Sequence, residues 1–587
     1  MTTIPTEVHP VLRELRTRGD CDLRPCKYVS GGFKPIPPHK VGVAHLTLNP
    51  RFLLGDPVGC GKTPQALVAF AFLKEKNPAL RLLVVTDKSA MFQWEHAVAK
   101  FLTGMTVEVI GFDGERRVVA RKHRHARWAS QADILIVNWH GMALDIDVAL
   151  PNLKDAVVVL DEIQRVRDWR GRLIHPAARR LSLGARYLWG LSATPVYNRV
   201  EDLYGVMEVL CPGFFGPYAK FAATYLREVV IKPRRGRWFK KLVGYRNIAH
   251  LTSRLDPVYL KRPPDAFDRH LPGVVMQIKR LTMSDKQAAA YHSAISQFFR
   301  GEQINKLTSL VYAQMVSDAP EALGLKDHGS SKLDELQRFF REDIDDTQKV
   351  VIYARYERVV THVVAGLKAI GIRSLRITGK EGAAEREAAK TAFNSDPSVQ
   401  AICINAAGGQ AIDLQAAGIL VFFDLPWSYG ECQQVVGRTR RLGSHHPRIL
   451  TLLLANEGTV DMHTLAILRD KEKTALTTMP KAAAPMDVDD SILTSITDVN
   501  VSPSVIGYLK ELSEREILQI TGTGDTTPSV LSHSEISQDL PAGLVAENGN
   551  DVEALNPGTT PPPPSPPAVA SRRSRGAVNS LVKDDTE

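Results

Sequence analysis

Asp56-Pro57-Val58-Gly59-Cys60-Gly61-Lys62-Thr63 decides how the chain is read. The apolar run Phe52-Leu53-Leu54 enters it, and Gln65-Ala66-Leu67-Val68-Ala69-Phe70 leaves it with the composition of a helix. A strand, a glycine-bearing turn and a helix N-terminus together form a phosphate cradle. Backbone N–H groups and the helix dipole face the anion, the lysine reaches the terminal phosphates and the threonine hydroxyl ligates magnesium. Pro64 falls in the first helical turn, where its missing N–H costs nothing. Asp56, Gly59, Cys60, Gly61, Lys62, Thr63 and Pro64 are therefore expected to hold ATP, with Mg2+ on Thr63. The generic pattern has glycine at the position of Asp56, so this is a less common form of the loop.

Downstream of the loop, short apolar runs recur at Leu82–Val85, Ile134–Val137, Val157–Leu160 and Tyr187–Leu191. Unalternating runs separated by helix-length segments predict strands of a parallel sheet, buried on both faces. A first α/β lobe is expected over 31–255, after an irregular segment 1–30. The third run ends in Asp161-Glu162. A strand that delivers two carboxylates beside a phosphate loop suits magnesium, held by Asp161 through water, and a proton acceptor for attacking water, Glu162. Residues 256–330 read as a helical bridging region. A second series of buried runs, Val350–Tyr353, Ala401–Ile404, Leu420–Phe423 and Ile449–Leu452, predicts a second lobe over 331–478 with no phosphate loop of its own. It carries Gln433-Gln434-Val435-Val436-Gly437-Arg438-Thr439-Arg440-Arg441 instead. Arg438 and Arg441, three apart on a helix face, can reach the γ-phosphate only when the lobes close, which couples hydrolysis to motion.

At 587 residues the chain is too long for one core. Its net charge of +10 is uneven: residues 481–587 hold 16 acidic and 7 basic residues, which leaves +19 on residues 1–480. A basic body favours a polyanionic partner, most simply nucleic acid. Residues 479–587 are rich in Pro, Ser, Thr and acidic residues and read as a mostly disordered tail, able to serve as an arm for a protein partner. Six cysteines do not make a disulfide framework, and Cys21 and Cys26 have no answering pair for zinc. With neither an apolar leader nor a membrane-length run, no membrane partner is expected. The expected setting is inside a cell.

The order of these motifs resembles the superfamily-two helicases, and within them the Swi/Snf-type DNA-dependent ATPases, from about residue 34 to about 465. Asp56–Thr63 is similar to the family's Asp-Glu-Met-Gly-Leu-Gly-Lys-Thr, which accounts for the aspartate. Gln93-Trp94-Glu95 with Phe101, Leu191–Asn198 with Glu201 and Leu203, and Leu260-Lys261-Arg262 with Leu271-Pro272 resemble further segments of the first lobe. Thr378-Gly379, Arg386, Phe393-Asn394, Ala407–Leu414 and Gln434–Gly443 resemble those of the second. The departures are His39, where many relatives read adenine with glutamine, Gln164 for histidine, and Gly437 for aspartate.

The resemblance implies two RecA-like parallel-sheet lobes in tandem with ATP and magnesium between them and nucleic acid, most simply duplex DNA, across both. It adds Gln434 to the catalytic set of Lys62, Asp161, Glu162, Arg438 and Arg441, and His39, Gly409 and Asp413 to the nucleotide site. Lys88 and Trp94 become candidate nucleic-acid contacts. So do two basic clusters, one from Arg116 and Arg117 to Arg121, Lys122, Arg124 and Arg127, the other Arg234, Arg235, Trp238 and Lys240 with their neighbours. The implied activity is ATP-driven translocation on duplex DNA. A strand-separating DNA or RNA helicase and a non-hydrolysing scaffold are the alternatives. Without chromatin-reading modules the chain looks more like bacterial or viral members than a nuclear remodeller, which places it in the cytoplasm or nucleoid of a bacterium or in a virus-infected cell.

Overall fold

The computed structural model describes residues 7–468 except 114–116, 154, 196–199, 232–238, 268, 301–305, 410–411, 427–428, 445 and 467, together with 487–488. The first lobe is built on strands β1 (Arg51–Leu54), β2 (Leu82–Thr86), β3 (Val107–Val109), β4 (Ile134–Asn138), β5 (Val157–Asp161), β6 (Tyr187–Leu191) and β9 (Tyr259–Leu260). Their spatial order is β3-β4-β2-β5-β6-β1-β9, and every neighbouring pair is parallel. The unalternating composition follows from this arrangement, because helices cover both faces. Leu83 and Val85 pack into one apolar layer with Leu135, Val137, Val158 and Leu160, while Leu82 and Val84 join Phe52, Leu54, Val157 and Val159 in the other. The pleat alternates even though the composition does not.

The second lobe has the same logic, with β10 (Gly273–Leu281), β11 (Val350–Tyr353), β12 (Ser374–Ile377), β13 (Ala401–Ile404), β14 (Ile419–Phe422), β15 (Arg448–Asn456) and the two-residue β16 (Asp487–Val488). The order is β12-β13-β11-β14-β15-β10-β16, again parallel throughout. Four of these strands coincide with the four apolar runs of the sequence.

The helical bridge expected over 256–330 is a different object. Tyr259 and Leu260 extend the first sheet beside Leu53 and Leu54, and Gly273–Leu281 runs the full length of β15 in the second sheet. Among the described residues of this region, only Asp285–Arg300 and Lys306–Asp318 are longer helices. The connection between the sheets is thus the short segment 261–272. The pattern misled because β10 lies next to the sheet's edge and exposes alternate residues such as Val275 and Gln277, which breaks the continuous apolar signature. The strands β7 (Leu226–Ile231) and β8 (Phe239–Tyr245) form a separate antiparallel ribbon, with Val229, Val230 and Val243 about half exposed.

Parallel sheets of this kind bind ligands outside the carboxyl ends of their strands. There β1 delivers the phosphate loop, β5 delivers Asp161 and Glu162, and β6 delivers Ser192-Ala193-Thr194. Among the described residues no helix is long and apolar enough to cross a membrane, no group of metal-binding side chains is present, and all six cysteines are free.

Candidate nucleotide site

The loop leaves β1 and enters the Lys62–Lys76 helix through Gly61, its N-cap, with Gly59 (φ +79°) and Gly61 (φ +73°) both in the left-handed region that favours glycine. Close packing adds a second demand. A Cβ on Gly59 would overlap the Arg440 carbonyl oxygen of the second lobe, and one on Gly61 would come 2.7 Å from His39 Nε2. Lys62 Nζ donates to the Asp56 carbonyl at 2.8 Å and the Pro57 carbonyl at 3.1 Å. Thr63 and Pro64 occupy the first turn that follows.

Asp56 does not face the phosphate cradle. Its carboxylate is fully buried and ion-paired with Arg262, whose Nε donates to Oδ1 at 2.8 Å. Gln65 Nε2 donates to Asp56 Oδ2 at 3.2 Å, and Arg262 Nη2 donates to Gln65 Oε1 at 2.9 Å. A third bond runs from Arg262 Nη1 to the Pro38 carbonyl. Gly42 is part of the same construction, since a Cβ there would overlap Gln65 Oε1. The aspartate that the generic loop lacks is therefore the counter-ion that ties the loop's root to the edge strand β9. Cys60 is also turned away from phosphate. It packs with Phe267, Leu271, Ile36 and Leu442, so the loop touches the connecting segment and the second lobe together.

His39 is buried and sits 3.0 Å from the Cys60 carbonyl oxygen through Nε2. Burial lowers its pKa to about 4, so it is neutral at physiological pH and Nε2 is the donor. The residue expected to contact adenine thus bonds the backbone of the phosphate loop.

Asp161 closes β5 and is held on three sides. Thr86 Oγ1 donates to Oδ2 at 2.8 Å, Trp94 Nε1 donates to the same oxygen at 2.9 Å, and the Glu162 N–H donates to Oδ1 at 3.1 Å. Trp139 Nε1 anchors the Asp161 carbonyl at 3.1 Å. Trp94, expected among the nucleic-acid contacts, is 2% exposed and serves Asp161 instead. Its ring is drawn inward because its helix, Met91–Phe101, packs flat on the sheet. Lys88, one turn earlier, is exposed, with Nζ 5.8 Å from the Phe112 ring centroid.

Glu162 adopts φ +52°, an uncommon conformation for a side chain of its size, and it turns the carboxylate off the strand axis. Gln164 Nε2 donates to Glu162 Oε2, and Gln434 of the second lobe reaches the same oxygen at 3.3 Å. Burial raises the pKa of both acids, and their mutual repulsion raises that of Glu162 further. Two half-buried carboxylates held by neutral donors have the chemistry of a cation site.

Gln434, Gly437 and Arg438 lie on the helix Tyr429–Thr439. Arg438 is buried, and burial followed by repulsion from Arg441 lowers its pKa to about 10, while Glu162, Asp413 and Asp87 favour its charge. Arg441 is ion-paired with Asp413 at 2.8 Å. Gly409 N–H donates to the Asn405 carbonyl at 2.7 Å, in the turn before Asp413. The basic cluster of Arg121–Trp128 is partly consumed inside the lobe: Arg124 pairs with buried Asp145 and Arg127 with Glu108. Arg116, Arg234, Arg235 and Trp238 lie outside the described residues, and for Lys240 only its place in β8 is described.

Two adjoining domain profiles match this arrangement. Residues 44–326 match the SNF2-related domain, and residues 331–443 match the helicase conserved C-terminal domain. The chain carries an SNF2-related domain followed by a helicase conserved C-terminal domain. The human DNA annealing helicase and endonuclease ZRANB3 is 25% identical over 456 residues, which cover 76% of this chain and 40% of that protein. The Arabidopsis thaliana CHD3-type chromatin-remodeling factor CHR7 is 24% identical over 443 residues, covering 71% of this chain and 35% of that one. This SNF2-related chain thus spans about two fifths of the length of the curated relatives it matches. The Sulfolobus solfataricus SWI2/SNF2 ATPase core in complex with dsDNA aligns with 82% of the chain and 99% of its own, at 21% identity and a TM-score of 0.37.

Reading the sequence missed Arg262, Gln65 and Thr86 as parts of the site. Arg262 could have been found in its resemblance segment had its partner been sought, because a buried aspartate in a phosphate loop requires a cation.

Proposed function

We propose that the chain hydrolyses ATP between its two lobes and uses the cycle to translocate on duplex DNA. The observation that carries this reading is the 3.3 Å contact of Gln434 with Glu162, a second-lobe side chain on the carboxylate that the first lobe presents to water. Glu162 takes the proton of the attacking water as oxygen bonds to the γ-phosphorus and the bond to ADP breaks. A raised pKa brings this carboxyl nearer the working pH of a general base. Lys62 and the loop amides hold the phosphates, and Arg438 and Arg441 add positive charge from the other lobe. Magnesium on Thr63 and Asp161 would neutralise phosphate charge when bound. Each turnover rebuilds the contacts between the lobes, and with backbone grips on both lobes this yields stepping along the polyanion.

The deciding test is the ATPase rate without nucleic acid and with duplex DNA, single-stranded DNA and RNA, beside a Glu162→Gln control. Stimulation by duplex alone, lost in the control and without strand release in an unwinding assay, is the expected result. Preference for single strands, or release of a strand, would replace translocation with unwinding. No hydrolysis in any condition would overturn the motor reading.

A further inference from the structure

Lys261 follows β9, and its side chain crosses the foot of the phosphate loop. The Leu260 carbonyl accepts from Gly55 N–H at 2.7 Å, which fixes β9 against the residue where the loop begins. From there Lys261 Nζ reaches over the end of β1 and donates to the Ala193 carbonyl at 3.2 Å, at the end of β6. A neutral carbonyl is a weak return for a desolvated ammonium. The charged groups about it are few. Asp56 is committed to Arg262 and Gln65, Lys62 and Arg262 carry the same sign as Lys261, and Tyr259, with its hydroxyl unpartnered, supplies no charge. Asp161 and Glu162 stand at the end of β5, beyond β6, bonded to Thr86, Trp94 and Gln164. Three cations against one committed carboxylate describe a pocket that is short of an anion.

We propose that Lys261 is a second cation of the phosphate site, a positioning residue whose charge beside Lys62 is neutralised by the bound nucleotide's phosphates and whose bond to Ala193 ties Ser192-Ala193-Thr194 to phosphate occupancy. This rests on the ATP-site reading above. Burial, with Lys62 adding to it and Asp56 opposing it, lowers the Lys261 pKa to about 8, so the ammonium is partly deprotonated just above physiological pH. A bound polyanion favours the charged form and draws a proton from solvent. His39, whose pKa burial lowers to about 4, stays neutral throughout this range.

The test measures ATP binding to the full chain carrying Glu162→Gln, by titration calorimetry at pH 8 in buffers of different ionisation enthalpy. About half a proton is taken up per ATP bound, as expected for a group half-titrated at that pH. ATP affinity then falls several-fold between pH 7 and pH 9. Adding Lys261→Met abolishes the uptake and flattens the profile. Adding Lys261→Arg keeps the pH 7 affinity within about threefold and also abolishes the uptake, because arginine does not titrate here. Uptake that persists in both variants, or a flat profile in the parent, would overturn the proposal. Should Lys261→Met fail to fold, the arginine variant and the parent's own profile decide it. Failure of the ATP-site reading looks different: the parent would bind no ATP, or Lys62→Ala would bind it undiminished.

Discussion

Gly437 of the second lobe lies directly against Val58 of the phosphate loop, so that a Cβ on the glycine would overlap Val58 Cγ1. The helix that carries Gln434 and Arg438 can approach the loop this closely only because that position has no side chain. Aspartate is the usual residue there in the Swi/Snf-type relatives, and here it would have to push the helix off the loop. Gly437→Asp is expected to lower kcat with little change in the affinity for ATP, since the lobe that binds the nucleotide is untouched. Overpacking of a tight contact costs about 1–3 kcal/mol, or roughly 5- to 150-fold in rate. Steady-state ATPase and equilibrium ATP binding, measured together, check it. Equal losses in both would mean that the contact serves the fold of the loop.

Trp94 separates two roles for one residue. The 2.9 Å bond to Asp161 predicts that Trp94→Phe, which keeps the ring's bulk and removes the N–H, slows hydrolysis and leaves nucleic-acid affinity within error. A hydrogen bond to a charged acceptor contributes about 1.5–3 kcal/mol, so a fall in kcat of roughly tenfold or more is expected. A loss of DNA binding at unchanged kcat would return Trp94 to the nucleic-acid surface.

The sheet strands were legible because burial on both faces leaves an unbroken apolar run, and β2, β4, β5, β6, β11, β13 and β14 have this signature. β3, β9 and β12 were not, since two to four residues at or beside a sheet edge carry too little pattern. β10 escaped for the related reason that an exposed face makes its composition resemble a helix. In the site, Lys62, Asp161, Glu162 and Gln434 were readable from motif order, which encodes position at strand and helix ends. The partners of Asp56 and Asp161 were not. Arg262 lies 206 residues from Asp56 and Trp94 lies 67 from Asp161, and only the fold brings them together. Trp94 drew a wrong role because the resemblance of Gln93-Trp94-Glu95 marks the segment without fixing which way the ring faces.

Arg262 is expected to matter more for stability than its place just past the edge strand suggests. Its removal leaves the fully buried Asp56 carboxylate without a cation, a loss of about 3–5 kcal/mol for a broken buried pair. Arg262→Ala should lower the first unfolding transition by several degrees, and Arg262→Ala with Asp56→Asn should recover part of it by removing the stranded charge. A double variant no more stable than the single one would show that Arg262 acts through Pro38 and Gln65.

Acid should loosen the first lobe through its buried histidines. Burial lowers the pKa of His39 to about 4, while burial and Arg16, which donates to His45 Nε2 at 3.1 Å, lower that of His45 to about 2. Both have an ordinary value of 6.5, so between pH 6.5 and 4 the unfolded chain binds protons that the folded chain refuses. Stability is therefore complete above pH 6.5 and falls as the pH drops below it. Asp161 and Glu162 act in the opposite sense, because raised pKa values let the folded state keep protons that the unfolded state has released. Comparing the parent with His39→Gln isolates the histidine. The variant's unfolding midpoint should fall less steeply between pH 7 and 5 than the parent's, and identical slopes would mean that His39 becomes protonated in place.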